Sequence, residues 1–173
     1  GFLVGETYLR MGRIERAVKE LARFEDDPDA LYNLGLALFY AGDFVASVNA
    51  FRRGIFANLY LPALVTEQPP TDGPDLDDEE AEDDAPRHPT DAGAHPKGLD
   101  SKNAARDYVD RCGDLWFGRP VLQRWLDGVR HHPIVEADVK RHLAHLETLA
   151  NGKLSAGERA RIEGENTTLR SPE

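Results

Sequence analysis

Apolar residues along the first 66 positions recur at steps of three and four, the spacing that places side chains on one face of an α-helix. Asp27 and Pro28 stand where an N-cap and a first helical residue are favoured, and Gly42 stands where a helix ends. The pattern predicts four short amphipathic helices joined by tight turns, over residues 3–11, 14–24, 29–41 and 44–56.

A second helical region begins after residue 100. Its apolar positions again recur every three or four residues and predict three more helices, with Pro120 and Pro133 opening the second and third. Asn151 and Gly152 end the last of them. We expect residues 153–173 to form a flexible tail that holds at most one short helix, over residues 156–162.

Residues 67–100, between the two helical regions, hold six of the eleven prolines and few large apolar side chains. Ten acidic residues lie between Asp72 and Asp91 against one base, Arg87, so this window carries nine of the ten net negative charges. Such a segment buries too little apolar surface to offset the entropy of ordering. We predict a disordered acidic linker, whose charge suits either a solubilising tether or the binding of a basic partner.

These patterns predict an all-α protein in four parts. The parts are two helical hairpins forming an α-solenoid fragment (1–66), the acidic linker (67–100), a three-helix C-terminal segment (101–152) and the flexible tail (153–173). Trp116 and Trp125 lie among the apolar positions of the C-terminal segment, and we expect them to seal it onto the hairpins.

The first 66 residues also contain an internal repeat with a constant offset of 30. In each copy, small residues let the paired helices approach, the second glycine ends the first helix, and large apolar residues fill the gap between helices. The aligned pairs are Gly5 with Gly35, Tyr8 with Leu38, Gly12 with Gly42, Ile14 with Phe44, Ala17 with Ser47 and Leu21 with Phe51.

This pattern resembles the tetratricopeptide repeat (TPR), a pair of antiparallel helices. The residues that carry the better copy are Leu34-Gly35, Gly42-Asp43-Phe44 and Phe51. Leu31 stands where the family usually has Trp, and Ser47 replaces the usual Ala. The offset of 30 is also shorter than the usual repeat of about 34 residues.

Motifs in the C-terminal region make the resemblance more specific. The motifs are Ala57-Asn58-Leu59-Tyr60-Leu61-Pro62 before the acidic segment, then Ala105-x-x-Tyr108, Leu115-Trp116, Pro120-x-Leu122 and Trp125-Leu126. Together with the repeats they resemble mostly uncharacterised microbial TPR proteins that are labelled as similar to the suppressor of tumorigenicity 7 family. The resemblance covers most of residues 1–150 and implies an architecture without implying a reaction.

For a TPR protein, the resemblance implies capture of a protein or peptide segment in the groove lined by the first helix of each hairpin. The family's groove positions fall here on Phe2, Glu6, Leu9, Arg10, Asp29, Tyr32, Asn33, Leu36, Phe39 and Tyr40. The aromatic side chains suit an apolar or helical ligand. Phe2, Glu6, Tyr32 and Leu36 lack the Lys and Asn pattern of TPR domains that clamp chaperone C-termini, which excludes that role. We predict a non-catalytic protein–protein interaction module with an unidentified partner.

Two other interpretations stay open. In one, the groove aromatics pack against the neighbouring repeat or the C-terminal helices, and the protein is a structural or oligomerising scaffold whose exposed repeat edge meets its own copy. In the other, the chain is an accessory domain of a larger protein, because it starts without Met, directly in helix-like sequence. A groove binder keeps Tyr32 and Phe39 exposed in a monomer, whereas an oligomeriser buries them in a self-interface.

The sequence contains no convergent set of catalytic or metal-binding residues, and we predict neither a reaction nor a cofactor. His142 and His145 share one helix face, but no Glu of the zinc-protease pattern stands between them and no third ligand is indicated. Cys112 has no base beside it in sequence, which favours a packed thiol over a nucleophile.

Composition limits the partners and the location. No cluster of Lys and Arg is present, so we expect no nucleic-acid binding. No stretch approaches the roughly 20 apolar residues of a membrane helix. The single cysteine fits a reducing compartment and no signal peptide is apparent, so we expect a cytoplasmic protein.

Overall fold

A computed structural model describes residues 2–67 and 99–170, and within these ranges the protein is all-α, as the sequence pattern predicts. The helices are α1 (Phe2–Arg10), α2 (Ile14–Leu21), α3 (Pro28–Ala41), α4 (Phe44–Ala57), α5 (Leu61–Thr66), α6 (Leu99–Cys112), α7 (Pro120–Arg130), α8 (Pro133–Ala150) and α9 (Ala156–Arg170), with a 3-10 helix at Gly113–Leu115. The predicted linker disorder falls on residues 68–98, which lie outside the described ranges. No helix in the described ranges is long and apolar enough to cross a bilayer.

The ends of α3 and α4 are set by local side-chain chemistry. The Asp27 carboxylate accepts the N–H of Ala30 at 3.0 Å, and Gly42 ends α3 in the left-handed conformation with φ of 80°. The Asp43 carboxylate then accepts the N–H of Ala46 at 3.1 Å and caps α4. These boundaries agree with the sequence prediction because capping is a local property.

The two hairpins, α1–α2 and α3–α4, share one packing pattern. A Cβ added at Gly5 would lie 2.4 Å from Cγ of Leu21, and a Cβ at Gly35 would lie 2.5 Å from the ring of Phe51. Each glycine thus brings its helix against a large side chain of the second helix. Ser47 adds a hydrogen bond from Oγ to the Gly35 carbonyl at 2.8 Å. The contacts repeat at the offset of 30 that aligns the two copies.

The C-terminal helices pack back onto the hairpins, which the sequence left open. Within the hairpins, α1, α2 and α3 contact one another. α5 contacts α6 and α7, and α4 contacts α7, α8 and α9. Asn58 Nδ2 donates to the Ser101 carbonyl at 3.0 Å, and Gln123 Nε2 donates to the Val65 carbonyl at 2.9 Å. The six-residue α5, in which Leu61 is buried, is absent from the prediction because its run is too short to show a helical period.

The predicted short helix over residues 156–162 is present, but it continues to residue 170 as α9, where a flexible tail was expected. Ser155 and Glu158 make a capping box, in which the Ser155 hydroxyl donates to the Glu158 carboxylate at 2.7 Å and accepts the Glu158 N–H at 3.3 Å. Ile162 and Asn166 are buried, and Asn166 hydrogen-bonds the buried imidazole of His142 on α8. The capping box and these two buried residues together order the tail.

The two tryptophans take different positions. Trp116 is fully buried and its ring centroid lies 5.7 Å from that of Phe51, inside the main core. Trp125 is half-buried, with ring centroids 5.7 Å from Phe39 and 5.4 Å from Phe44. Both join the C-terminal helices to the second hairpin.

Candidate functional site

The ten residues predicted to line a groove all lie on α1 and α3, the first helices of the two hairpins. Side chains from α6, from the 3-10 helix after it and from α7 cover them. Tyr32 and Asn33 are fully buried and Leu36 is 1 % exposed. The expectation that Tyr32 of a groove binder is exposed is therefore wrong for this structure. The groove is filled by the chain itself, and its central residues contact α6 and α4 instead of solvent.

An ion-pair cluster joins α6 to both hairpins. Arg111 donates from Nη2 to Oε1 of Glu6 at 3.0 Å and to Oδ2 of Asp29 at 2.7 Å, and its Nε lies 3.2 Å from Glu6 Oε1. The Glu6 side chain is 2 % exposed, so its charge is removed from water and depends on the nearby cations, Arg111 at 3.0 Å and Arg10 at 3.8 Å. One arginine thus anchors α6 to α1 and α3 at once.

A line of hydrogen bonds runs from the core to the same carboxylate. Trp116 Nε1 donates to the Tyr108 hydroxyl at 2.8 Å, which donates to Oδ1 of Asn33 at 2.8 Å, and Asn33 Nδ2 donates to Glu6 Oε1 at 3.1 Å. Asn33 Nδ2 also lies 3.9 Å from Sγ of Cys112. Every polar group in this line has a partner, so the buried polar cluster specifies the position of α6.

The C-terminal end of α6 is held by Arg10. Its Nε and Nη2 each lie 3.1 Å from a carboxylate oxygen of Asp114, and Nη2 also donates to the Arg111 carbonyl at 2.7 Å. A cation that satisfies a carbonyl at the end of a helix stabilises that end. Arg10 therefore binds the end of α6 and the 3-10 helix after it.

The apolar groove residues contact the same segment. The Tyr32 and Tyr108 ring centroids are 6.1 Å apart, and the Arg111 guanidinium carbon lies 5.3 Å from the ring centroid of Phe2. Leu9 is 8 % exposed and belongs to the core. Aromatic and cation–π contacts add to the ion pairs here.

At the far end of the groove, α7 and the turn before it replace α6. Phe39 packs on Trp125, and the Tyr40 hydroxyl accepts Nη1 of Arg119 at 2.9 Å. Tyr40 is 44 % exposed, whereas Phe2 and Phe39 are half-buried and Tyr32 is fully buried. The covering of the groove is thus tight at its centre and looser at this end.

The environment shifts several protonation equilibria. Burial alone lowers the pKa of Arg111, but the hydrogen bonds to Glu6 and Asp29 outweigh it, and the net shift is upward. Burial raises the pKa of Asp29 despite the opposing hydrogen bond from Arg111. Burial, followed by the nearby Glu6 charge, raises the pKa of the Cys112 thiol to about 11. The cluster therefore holds a permanent cation beside carboxylates and a protonated thiol at neutral pH.

This arrangement suits recognition of a helix by charge and shape. Hydrogen bonds and ion pairs occupy the polar side chains of the cluster, which are Glu6, Asp29, Asn33, Tyr108 and Arg111. The Cys112 thiol is protonated. The cluster therefore presents no free base or nucleophile. Within the described ranges, no group of three or more His, Cys, Asp and Glu residues could hold a metal ion.

The structure brings the ten predicted groove residues together on one side, while the residues that fill the groove escaped the sequence prediction. Tyr108, Arg111 and Cys112 lie at spacings of three and one, which places them on one face of α6. This spacing, together with the motif Ala105-x-x-Tyr108, is the signal that the sequence carries for them. It does not reveal that the carboxylates they meet lie 82 and 105 residues earlier in the chain.

Comparison with protein-family models, with curated proteins and with solved structures finds no match to this chain.

Proposed function

We propose that the protein is a non-catalytic protein–protein interaction module of the TPR type, whose helix-binding groove is formed by α1 and α3 and is occupied here by α6. The observation that carries the proposal is the anchoring of α6 by Arg111 between Glu6 and Asp29. A charged anchor flanked by aromatic side chains is typical of interface hot spots, whereas hydrophobic cores rarely contain one.

On this proposal α6 is an internal ligand with which a partner competes. Because α6 belongs to the same chain, its effective concentration at the groove is on the order of millimolar. A partner gains access either by presenting a helix that satisfies Glu6 and Asn33 better than α6 does, or after α6 has left. The single cysteine of the chain, Cys112, is buried in this interface and becomes accessible only when α6 moves away.

The test measures the labelling of Cys112 by a maleimide together with binding of a fluorescent peptide that copies residues 99–119. Arg111→Met removes the anchor, and Arg106→Met is the matched control, since Arg106 is exposed on the same helix. We expect Arg111→Met to label roughly tenfold faster than the wild type and to bind the peptide more tightly. Arg106→Met should match the wild type in both measurements.

One outcome contradicts the proposal. If Cys112 reacts only at the rate of global unfolding in every variant, and no variant binds the peptide, α6 is a permanent part of the core. Circular dichroism verifies that each variant is folded. If Arg111→Met does not fold, Asp114→Asn, which loosens the end of α6 at an exposed position, takes its place.

A second candidate function is a scaffold that stacks further helices on α1. Leu3 and Val4 are 55 % and 44 % exposed, whereas Leu34, which aligns with Val4 in the repeat, is 9 % exposed beneath the preceding hairpin. The uncovered face suits a second copy of the chain. Sedimentation should then show a dimer that Val4→Glu disrupts and that Val45→Glu, at another exposed valine, leaves intact. A monomeric wild type at high concentration removes this candidate.

A further inference from the structure

A concave cleft of about 350 Å³ lies outside the groove, with helices on three sides. Its lining comes from α4 (Val48, Arg52), from α7 (Arg124, Trp125, Gly128, Val129) and from the start of α8 with the residue before it (His132, Ile134, Val135). The volume falls within the range of roughly 300–1,000 Å³ that is usual for small-molecule sites.

The walls of the cleft are apolar and fixed. Trp125 forms one wall, and it is held by a hydrogen bond from Nε1 to Ser47 Oγ at 3.3 Å and by ring contacts with Phe39 and Phe44. Ile134, at another wall, is 64 % exposed. Ile134 is a large aliphatic side chain that is mostly exposed to solvent, and it lies beside Trp125. The two side chains leave apolar surface that an apolar group of a ligand would cover.

Two arginines line the cleft, and they differ in how they are paired. Arg52 is neutralised by Asp138, with Nη2 at 2.6 Å from Oδ2. Arg124 is exposed and makes no ion pair or hydrogen bond with any residue in the described ranges. His132 uses Nδ1 to cap α8. The charge without a counterion in the cleft is therefore positive.

We propose that this cleft binds a small apolar carboxylic acid, with its hydrocarbon part against Trp125 and its carboxylate paired with Arg124. A guanidinium recognises a carboxylate through paired N–H donors, whereas an ammonium group would be repelled and an alcohol would gain little. The cleft is open to solvent on one side and its volume of about 350 Å³ has room for one small ligand, so the occupant is a free small molecule.

The probe is decanoate. Decylammonium and decanol are the comparison ligands, because they have the same chain length but a positive charge and no charge, respectively. Gly128→Leu fills the cleft, since a Cβ at Gly128 meets no atom within 4 Å. Gly164→Leu is the matched control in α9, where a Cβ also meets nothing within 4 Å. Arg124→Gln removes the cation, and Arg106→Gln controls for loss of one exposed arginine. Titration calorimetry and tryptophan fluorescence report binding.

We expect decanoate to bind well below its micellar concentration and decylammonium not to bind. Gly128→Leu should weaken decanoate binding at least tenfold, and Arg124→Gln should weaken it several-fold, because the pair is solvent-exposed. Both controls should bind as the wild type does. The fluorescence response should come from Trp125 and disappear in Trp125→Phe.

Several outcomes overturn the proposal. Equal binding of decanoate and decylammonium, or binding that Gly128→Leu leaves unchanged, shows surfactant adsorption instead of a site. A dimer that Gly128→Leu breaks shows that a second copy covers the cleft. Binding of an acidic leucine-rich helical peptide without binding of decanoate shows that the surface is a protein interface. Gly128→Leu and Arg124→Gln change neither a groove residue nor α6, so their outcome is independent of the α6 proposal.

Discussion

The guanidinium of Arg111 on α6 lies 3.0 Å from the carboxylate of Glu6 on α1, and the two residues are 105 positions apart in the chain. Glu6 is almost completely shielded from water, while Arg111 retains some contact with it. This pair joins the C-terminal region to the first hairpin across the groove. The free energy of this pair contributes to the packing of α6 against the hairpins.

Arg111→Met should destabilise the protein by about 2–3 kcal/mol, because the buried Glu6 loses its hydrogen-bonded counterion and keeps only the ion pair with Arg10 at 3.8 Å among the described residues. Glu6→Gln should cost only about 1 kcal/mol, since the amide oxygen still accepts from Asn33 and Arg111 keeps Asp29. Urea unfolding measures both. The double variant should cost less than the sum of the single changes; simple additivity would mean that the two charges do not interact.

Gly35→Ala should lower the free energy of unfolding by about 1–3 kcal/mol even though alanine favours helix, because the added methyl would lie 2.5 Å from the Phe51 ring. Gly164→Ala tests the opposite case in α9, where the added Cβ meets nothing within 4 Å. There we expect a gain of about 0.5–1 kcal/mol from helix propensity alone. Thermal unfolding of the two variants should move in opposite directions, and a shared direction would contradict the close approach at Gly35.

Asn166→Ala should loosen α9, because it removes the buried hydrogen bond to His142. We expect a loss of about 1–2 kcal/mol and faster amide exchange that is confined to α8 and α9. Asn49→Ala, at an exposed position of α4, serves as the control. Exchange that rises equally across all helices would show that α9 is not a separately opening unit.

Alkaline pH should destabilise the wild type through Cys112. Its folded pKa of about 11 exceeds the ordinary value of 9.0, so its contribution is fully present below about pH 9 and is lost as the pH rises through about 11. The difference in unfolding free energy between wild type and Cys112→Ala should therefore shrink by about 1 kcal/mol between neutral pH and roughly pH 10. Tyr32 and Tyr108 also have raised pKa values, but both proteins contain them, so the difference isolates the thiol. A constant difference across this range would place the thiol in water.

The sequence predicts the hairpins well because their determinants are local. Caps at Asp27 and Asp43 act over three residues, and the contact of Gly35 with Phe51 joins neighbouring helices through a short turn. The ten groove residues fall on one side of α1 and α3 for the same reason, because the helical period that places them is also local. The internal repeat makes these features visible twice.

The occupant of the groove is not predictable in this way. The bonds of Arg111 to Glu6 and Asp29 depend on how a distant helix packs, and nothing in the spacing around Arg111 distinguishes it from an exposed arginine such as Arg106. The sequence does not predict the full length of α9 for a related reason, because the buried face of this helix contains only Ile162 and Asn166. A polar residue that becomes buried by pairing carries no apolar signature.

The long separation between the groove and α6 also has a consequence for synthesis. Asp29 leaves the ribosome 82 residues before Arg111, which corresponds to roughly 4–16 s at about 5–20 residues per second. The second hairpin is complete once Ala57 has been made, 54 residues before Arg111. For roughly 3–11 s, at about 5–20 residues per second, both hairpins therefore exist while the helix that closes their groove has not been completed. The nascent chain thus passes through a state with an open, carboxylate-bearing groove, and a factor bound to the nascent chain could occupy that groove before α6 arrives.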